Sequence, residues 1–183
     1  YPLRRQRQMC IRDRLIANRG EIAIRITRAA QELGLTAVAI YPEDDAQSLH
    51  VRLADEAVLL DGRGASAYLD IAQIVQLAKD AGCDGVHPGY GFLSENANFA
   101  AAVEAANMTF IGPSVAALDA FGDKAKARAL AQACDVPVVA GLSEAISIEQ
   151  AQAFFAAHAD SGILLKAIAG GGGRGMRLSL IHI

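Results

Sequence analysis

The chain has 183 residues, 52% of them hydrophobic, and 17 Lys and Arg stand against 20 Asp and Glu for a net charge of −3. That length and apolar content suffice for one full domain and part of a second, and the near-balanced charge gives no broad field to attract nucleic acid or an anionic membrane. No apolar run approaches the roughly 20 residues that span a bilayer, no signal-peptide pattern opens the chain, and three scattered cysteines in no metal-ligand spacing fit a reducing, cytoplasmic setting.

Residues 1–13 are arginine-rich and without periodicity, and are expected to lie outside the fold as a disordered tail. From there, strand-like runs alternate with helical ones, which is the pattern of a parallel sheet covered by helices. Leu15-Ile16-Ala17 reads as a first strand, and Asn18-Arg19-Gly20 as a turn into a helix from Glu21 to Leu33 that stops at Gly34. Ile22, Ile26, Ala29 or Ala30, and Leu33 would form its apolar stripe, with Glu21–Arg25 and Arg28–Glu32 as solvated i,i+4 pairs. Thr36–Tyr41 and Ala57–Leu60 read as the next strands, and Asp70 as the cap of a helix ending at Gly82. The acidic turn Glu43-Asp44-Asp45 could hold a ribose in a dinucleotide fold, but Ala17-Asn18-Arg19-Gly20-Glu21 is not a Gly-x-Gly-x-x-Gly turn, so that reading fails.

Asp84–His87 predicts a fourth strand, followed by the loop Pro88-Gly89-Tyr90-Gly91-Phe92-Leu93. Ligands of open α/β sheets bind at the carboxyl ends of strands, so this loop is a candidate site with Tyr90 at its tip and Ser94 as the cap of the next helix. His87 reads as a strand-end histidine with a structural role, and Cys83 and Cys134 read as small core residues. Thr109–Pro113 predicts a fifth strand, and a short helical stretch follows from Ser114.

Asp123 then precedes an alanine-rich helix that carries Lys124, Lys126 and Arg128 in its first turns, opposing the macrodipole by about 0.3–1 kcal/mol each. A bound anion near Lys124 would account for that placement. A helix from Ile148 to about His158, packed through Ala151, Phe154 and Phe155, leads to the strand Ile163–Ile168. Lys166 shares a face there with Leu164 and Ile168, an expensive place for an ammonium unless an anion meets it. Gly170-Gly171-Gly172-Gly173-Arg174-Gly175 follows, offering bare backbone N–H groups suited to closing over phosphates. No Walker motif occurs, and residues 178–183 are expected to be a second tail that completes no element.

Four motifs carry a resemblance: Ala17–Ala23, His87–Asn96, Phe121–Lys124, and Lys166 with Gly170–Met176. In order and spacing they resemble the biotin carboxylase module of acetyl-CoA, acyl-CoA and pyruvate carboxylases. The resemblance implies an α/β fold, with a Rossmann-like domain over 14–122 and the truncated start of an ATP-grasp domain over 123–177. The implied reaction uses ATP and bicarbonate to form carboxyphosphate, which carboxylates a protein-linked biotin. It implies that Lys124, Lys166, Gly170, Gly171, Gly172, Gly173 and Gly175 bind the nucleotide, and that Tyr90 lies on the biotin and bicarbonate side.

The implied cofactor is magnesium with ATP, its ligands expected beyond this chain, so no metal residue is assigned here. The implied partners are a biotin carboxyl carrier and a carboxyltransferase, in a homo-oligomeric parent, and the 183 residues alone are expected to be inactive. Where many relatives carry Ser-Gly, this chain has Ile168-Ala169, leaving four consecutive glycines instead of five. A carbamoyl-phosphate synthetase-like ligase would share the lysine and glycine logic but not the His87–Asn96 loop, and a non-catalytic nucleotide-binding domain is the other alternative.

Overall fold

The computed structural model describes residues 13–142, 146–158, 163–166 and 176–179, apart from the side chains of Lys124 and Ser179. Contacts divide the chain into two compact units, Tyr1–Asp123 and Lys124–Ile183. The first holds five parallel strands: β1 (Arg14–Ile16), β2 (Ala37–Pro42), β3 (Glu56–Leu60), β4 (Gly85–His87) and β5 (Thr109–Phe110), in the order β3-β2-β1-β4-β5. Leu15 pairs with Val38 on one side and Val86 on the other, so β1 is the centre of the sheet.

Side-chain parity along β1 sorts the core onto two faces. Leu15 and Ala17 join Val38, Ile40, Tyr68, Ile74, Val86 and Phe99 in the larger cluster, while Ile16 joins Ala23, Ile26 and Ala30 in the smaller one. The larger cluster is covered by α3 (Ile71–Asp80) and α4 (Ala97–Ala105), the smaller by α1 (Gly20–Glu32). Burial on both faces explains why β1, β2 and β4 read as unbroken apolar runs rather than as alternation. A short helix, α2 (Leu49–Leu53), lies between β2 and β3, and α5 (Val115–Gly122) closes the unit.

Several local expectations change. The buried stripe of α1 is Ala23, Ile26, Thr27 and Ala30, while Leu33 is 76% exposed because the helix has already ended at Glu32. Ser94 does not cap α4; that role falls to Asn96, whose side chain accepts the Phe99 N–H at 3.0 Å. β5 stops at Phe110, since Ile111 still donates to Val86 O at 2.9 Å but the Gly112 N–H turns back to Phe110 O. Asp70 does cap α3, accepting the Gln73 N–H at 3.0 Å.

In the second unit, α6 (Lys124–Ala133) begins directly after Asp123, and α7 (Ile148–Ala157) is held by a capping box between Ser147 and Gln150. Ala151 is buried as expected, whereas Phe154 is half-buried and stacks on His158 at 4.2 Å. Cys134, expected in a core, is exposed just beyond α6. β6 (Ile163–Lys166) pairs antiparallel with β7 (Met176–Ser179). Leu178 and Ser179, expected to complete no element, therefore supply the partner strand of β6.

Candidate functional site

The strand order reverses direction between β1 and β4, and the crevice outside the carboxyl ends of these two strands is where open α/β sheets bind ligands. β1 leads there into Ala17-Asn18-Arg19, and β4 leads into the loop that carries Tyr90. Asn18 ties the two together. Only 2% exposed, it donates one Nδ2 hydrogen to Pro88 O at 2.7 Å and the other to Tyr90 O at 2.8 Å, while its Oδ1 accepts the Arg19 N–H at 2.9 Å. Every polar atom of a buried amide is thus partnered, as its desolvation requires.

Gly89 is dictated by this arrangement. Its φ of +67° lies in the left-handed region, and a Cβ there would stand 2.6 Å from Asn18 Nδ2. The Gly89 N–H donates to His87 Nδ1 at 3.0 Å, and burial lowers the His87 pKa from its ordinary value, which favours the neutral ring that can accept this bond. His87 thus ties the end of β4 to the start of the loop.

The Tyr90 side chain is 60% exposed, and its phenol donates to Glu21 Oε1 in the first turn of α1. Glu21, expected to pair with Arg25 along the helix, instead holds a residue 69 positions away. That hydrogen bond, followed by the carboxylate's charge, raises the phenol's pKa. Arg19 turns toward the acidic turn, where its Nη2 lies 2.6 Å from Asp45 Oδ1. Asp45 is buried and also accepts the Tyr68 hydroxyl at 2.9 Å and the Ser48 hydroxyl at 3.3 Å. Burial and the Asp45 contact push the Tyr68 phenol well above its usual value.

Glu43 is paired with Arg63 at 2.8 Å, and the Asp44 carboxylate accepts the Gly64 N–H. All three acidic residues that a ribose would have used are engaged by the protein itself, which agrees with the failed dinucleotide motif. Buried His50 sits beside this cluster, and burial lowers its pKa. The Asn18 bridge, the Glu21–Tyr90 bond and the Asp45 cluster are absent from the sequence reading, because each joins residues remote in sequence.

Of the residues expected to bind nucleotide, Lys166 ends β6 opposite Met176 and is exposed. Its face, shared with the 48% exposed Leu164, is open, while Ile163 on the alternate face is buried. The desolvation cost expected for its ammonium therefore does not arise. The side chain of Lys124 and Gly170, Gly171, Gly172, Gly173 and Gly175 lie outside the described residues. Among the described residues, no group of three or more His, Cys, Asp or Glu could hold a metal ion. No described helix is long and apolar enough to cross a membrane.

Comparison with known proteins bears on both units. Residues 10–118 match the model of the biotin carboxylase N-terminal domain, and residues 123–180 that of the carbamoyl-phosphate synthase L chain ATP binding domain. The chain is 49% identical to the mitochondrial pyruvate carboxylase of Rattus norvegicus over 180 residues, 96% of this chain and 15% of that protein. It is 45% identical to biotin carboxylase 1 of Bacillus subtilis over 170 residues, 92% of this chain and 38% of that protein. Among solved structures, the biotin carboxylase domain of Hydrogenobacter thermophilus 2-oxoglutarate carboxylase, a dimer in complex with MgADP, ADP and bicarbonate, superposes with a TM-score of 0.85. That match is 42% identical and covers 91% of this chain and 37% of that one. The chain thus spans well under half the length of these relatives, and its fold is that of the first part of their ATP-grasp-type domain. With the carboxylase-specific model covering the unit that holds the Asn18 bridge and the Tyr90 loop, the chain belongs to the biotin carboxylase family.

Proposed function

We propose that the chain contributes the N-terminal domain and part of the nucleotide site to an enzyme that carboxylates protein-linked biotin at the expense of ATP and bicarbonate. The observation that carries this reading is the match of residues 10–118 to the biotin carboxylase N-terminal domain, followed directly by the match of residues 123–180 to an ATP binding domain. The second model alone is shared with carbamoyl-phosphate synthases; the first separates the two. ATP supplies the phosphoryl group that activates bicarbonate as carboxyphosphate, and charge develops on the phosphate oxygens during that transfer.

The role of this chain's own residues is electrostatic and positional. Lys166 presents a solvated ammonium at the end of β6, able to meet a polyphosphate as a point charge without first being desolvated. Lys124 and Gly170–Gly175 are proposed to complete that grip, with magnesium held by residues outside this chain. Tyr90, on the exposed rim of the switch point, is proposed to face biotin and bicarbonate. A biotin carboxyl carrier and a carboxyltransferase follow as partners, in a homo-oligomeric cytoplasmic enzyme. The 183 residues alone, covering at most 38% of the relatives cited, are proposed to be inactive.

The test is biotin-dependent ATP cleavage by the full-length protein. Lys166→Ala is expected to raise KM for ATP on the order of tenfold or more, as loss of a charge-assisted phosphate contact does. A full-length protein that binds ATP with an affinity indifferent to Lys166 would point instead to a binding module.

A further inference from the structure

The loop that carries Tyr90 is gripped twice by the turn that follows β1. Asn18 takes the Pro88 and Tyr90 carbonyls, and Glu21 takes the Tyr90 phenol. The two grips differ in kind. The first is buried and fixes the backbone, while the second lies at the surface and decides only what the Tyr90 hydroxyl can do. A phenol has one hydrogen to donate and lone pairs to accept with. Once its hydrogen is committed to a carboxylate, it faces a ligand as an acceptor.

We propose that Glu21 is a positioning residue for biotin carboxylation: by holding the phenol proton of Tyr90, it presents the Tyr90 oxygen as an acceptor to an N–H donor of the ureido class. This rests on the functional reading above. Glu21 is suited to the task because it sits in the first turn of α1, within reach of the Tyr90 hydroxyl, and its carboxylate offers oxygens that accept. No other described carboxylate contacts the phenol in the structure, and the buried backbone grip leaves the loop's path independent of Glu21.

The experiment uses the full-length protein with free biotin as the probe, and measures KM for biotin and for ATP, kcat and thermal stability. Glu21→Ala is expected to raise KM for biotin on the order of tenfold, the worth of one charge-assisted hydrogen bond, without a matching change in KM for ATP or in Tm. Glu21→Gln, which keeps an acceptor oxygen, should recover most of the loss. In the Tyr90→Phe background, Glu21→Ala should have no further effect, since the phenol through which it acts is gone.

Equal losses for biotin and ATP, or a full effect of Glu21→Ala on top of Tyr90→Phe, would overturn the assignment while leaving the enzyme reading intact. A wild-type protein with no biotin-dependent ATP cleavage would overturn that reading, and this inference with it.

Discussion

At the switch point of the first unit, Asn18 is 2% exposed and commits both amide hydrogens to the chain that carries Tyr90, whereas on the ribbon of the second unit Lys166 stands exposed on an open strand face. Under the proposed function both regions serve the same chemistry. One is assembled from buried polar groups that must satisfy each other, and the other offers a solvated charge to whatever arrives. A substitution in the first disturbs folding before it disturbs binding; in the second, the order is reversed.

The largest stability effect is expected at Asn18. Asn18→Ala leaves two carbonyls without their donor, and urea unfolding of the chain should read a loss of about 2–4 kcal/mol. A loss below about 0.5 kcal/mol would mean water replaces the amide, and the contrast with Lys166 would collapse. Gly89→Ala should follow at about 1–3 kcal/mol, from a left-handed backbone and a Cβ set 2.6 Å from Asn18 Nδ2. Because the clash is with Asn18 itself, the double variant should lose less than the sum of the two.

A smaller effect is expected from pH. Burial lowers the His50 pKa, with the Ile40 backbone and then Asp45 opposing and Arg19 reinforcing that shift. The unfolded chain then binds the proton more readily, so stability is full above the ordinary histidine value near 6.5 and falls as the pH drops below it. His87 contributes in the same direction. Unfolding free energy measured from pH 7.5 to 5 should decline, and His50→Gln should flatten part of that decline. At the small end, Lys166→Ala should leave stability within about 0.5 kcal/mol, since its side chain is exposed. A large loss there would show that the lysine is structural and would sharpen the comparison against the ligand reading.

Much of the first unit is legible in the residues. The alternation of apolar runs and amphipathic stretches marks all five strands, Asp70 marks a helix start, and Gly89 marks a turn. Errors cluster where a local signal has a rival close by. Ser94 and Asn96 are both good caps, and the choice between them depends on where the preceding turn delivers the chain. Leu33 fits the helical period but falls one residue past the helix, and Leu178 and Ser179 become a strand only because β6 lies beside them.

Sequence alone determines which residue types are available at the ends of β1 and β4, and which family the chain resembles, because those depend on local spacing and order. Only the tertiary structure decides that Asn18 bridges to Pro88 and Tyr90, that Asp45 closes the acidic turn on Arg19 and Tyr68, and that Lys166 is solvated. Each of these joins or exposes groups far apart in the chain. Burial and hydrogen-bond satisfaction set them, and neither has a period that can be read along a sequence.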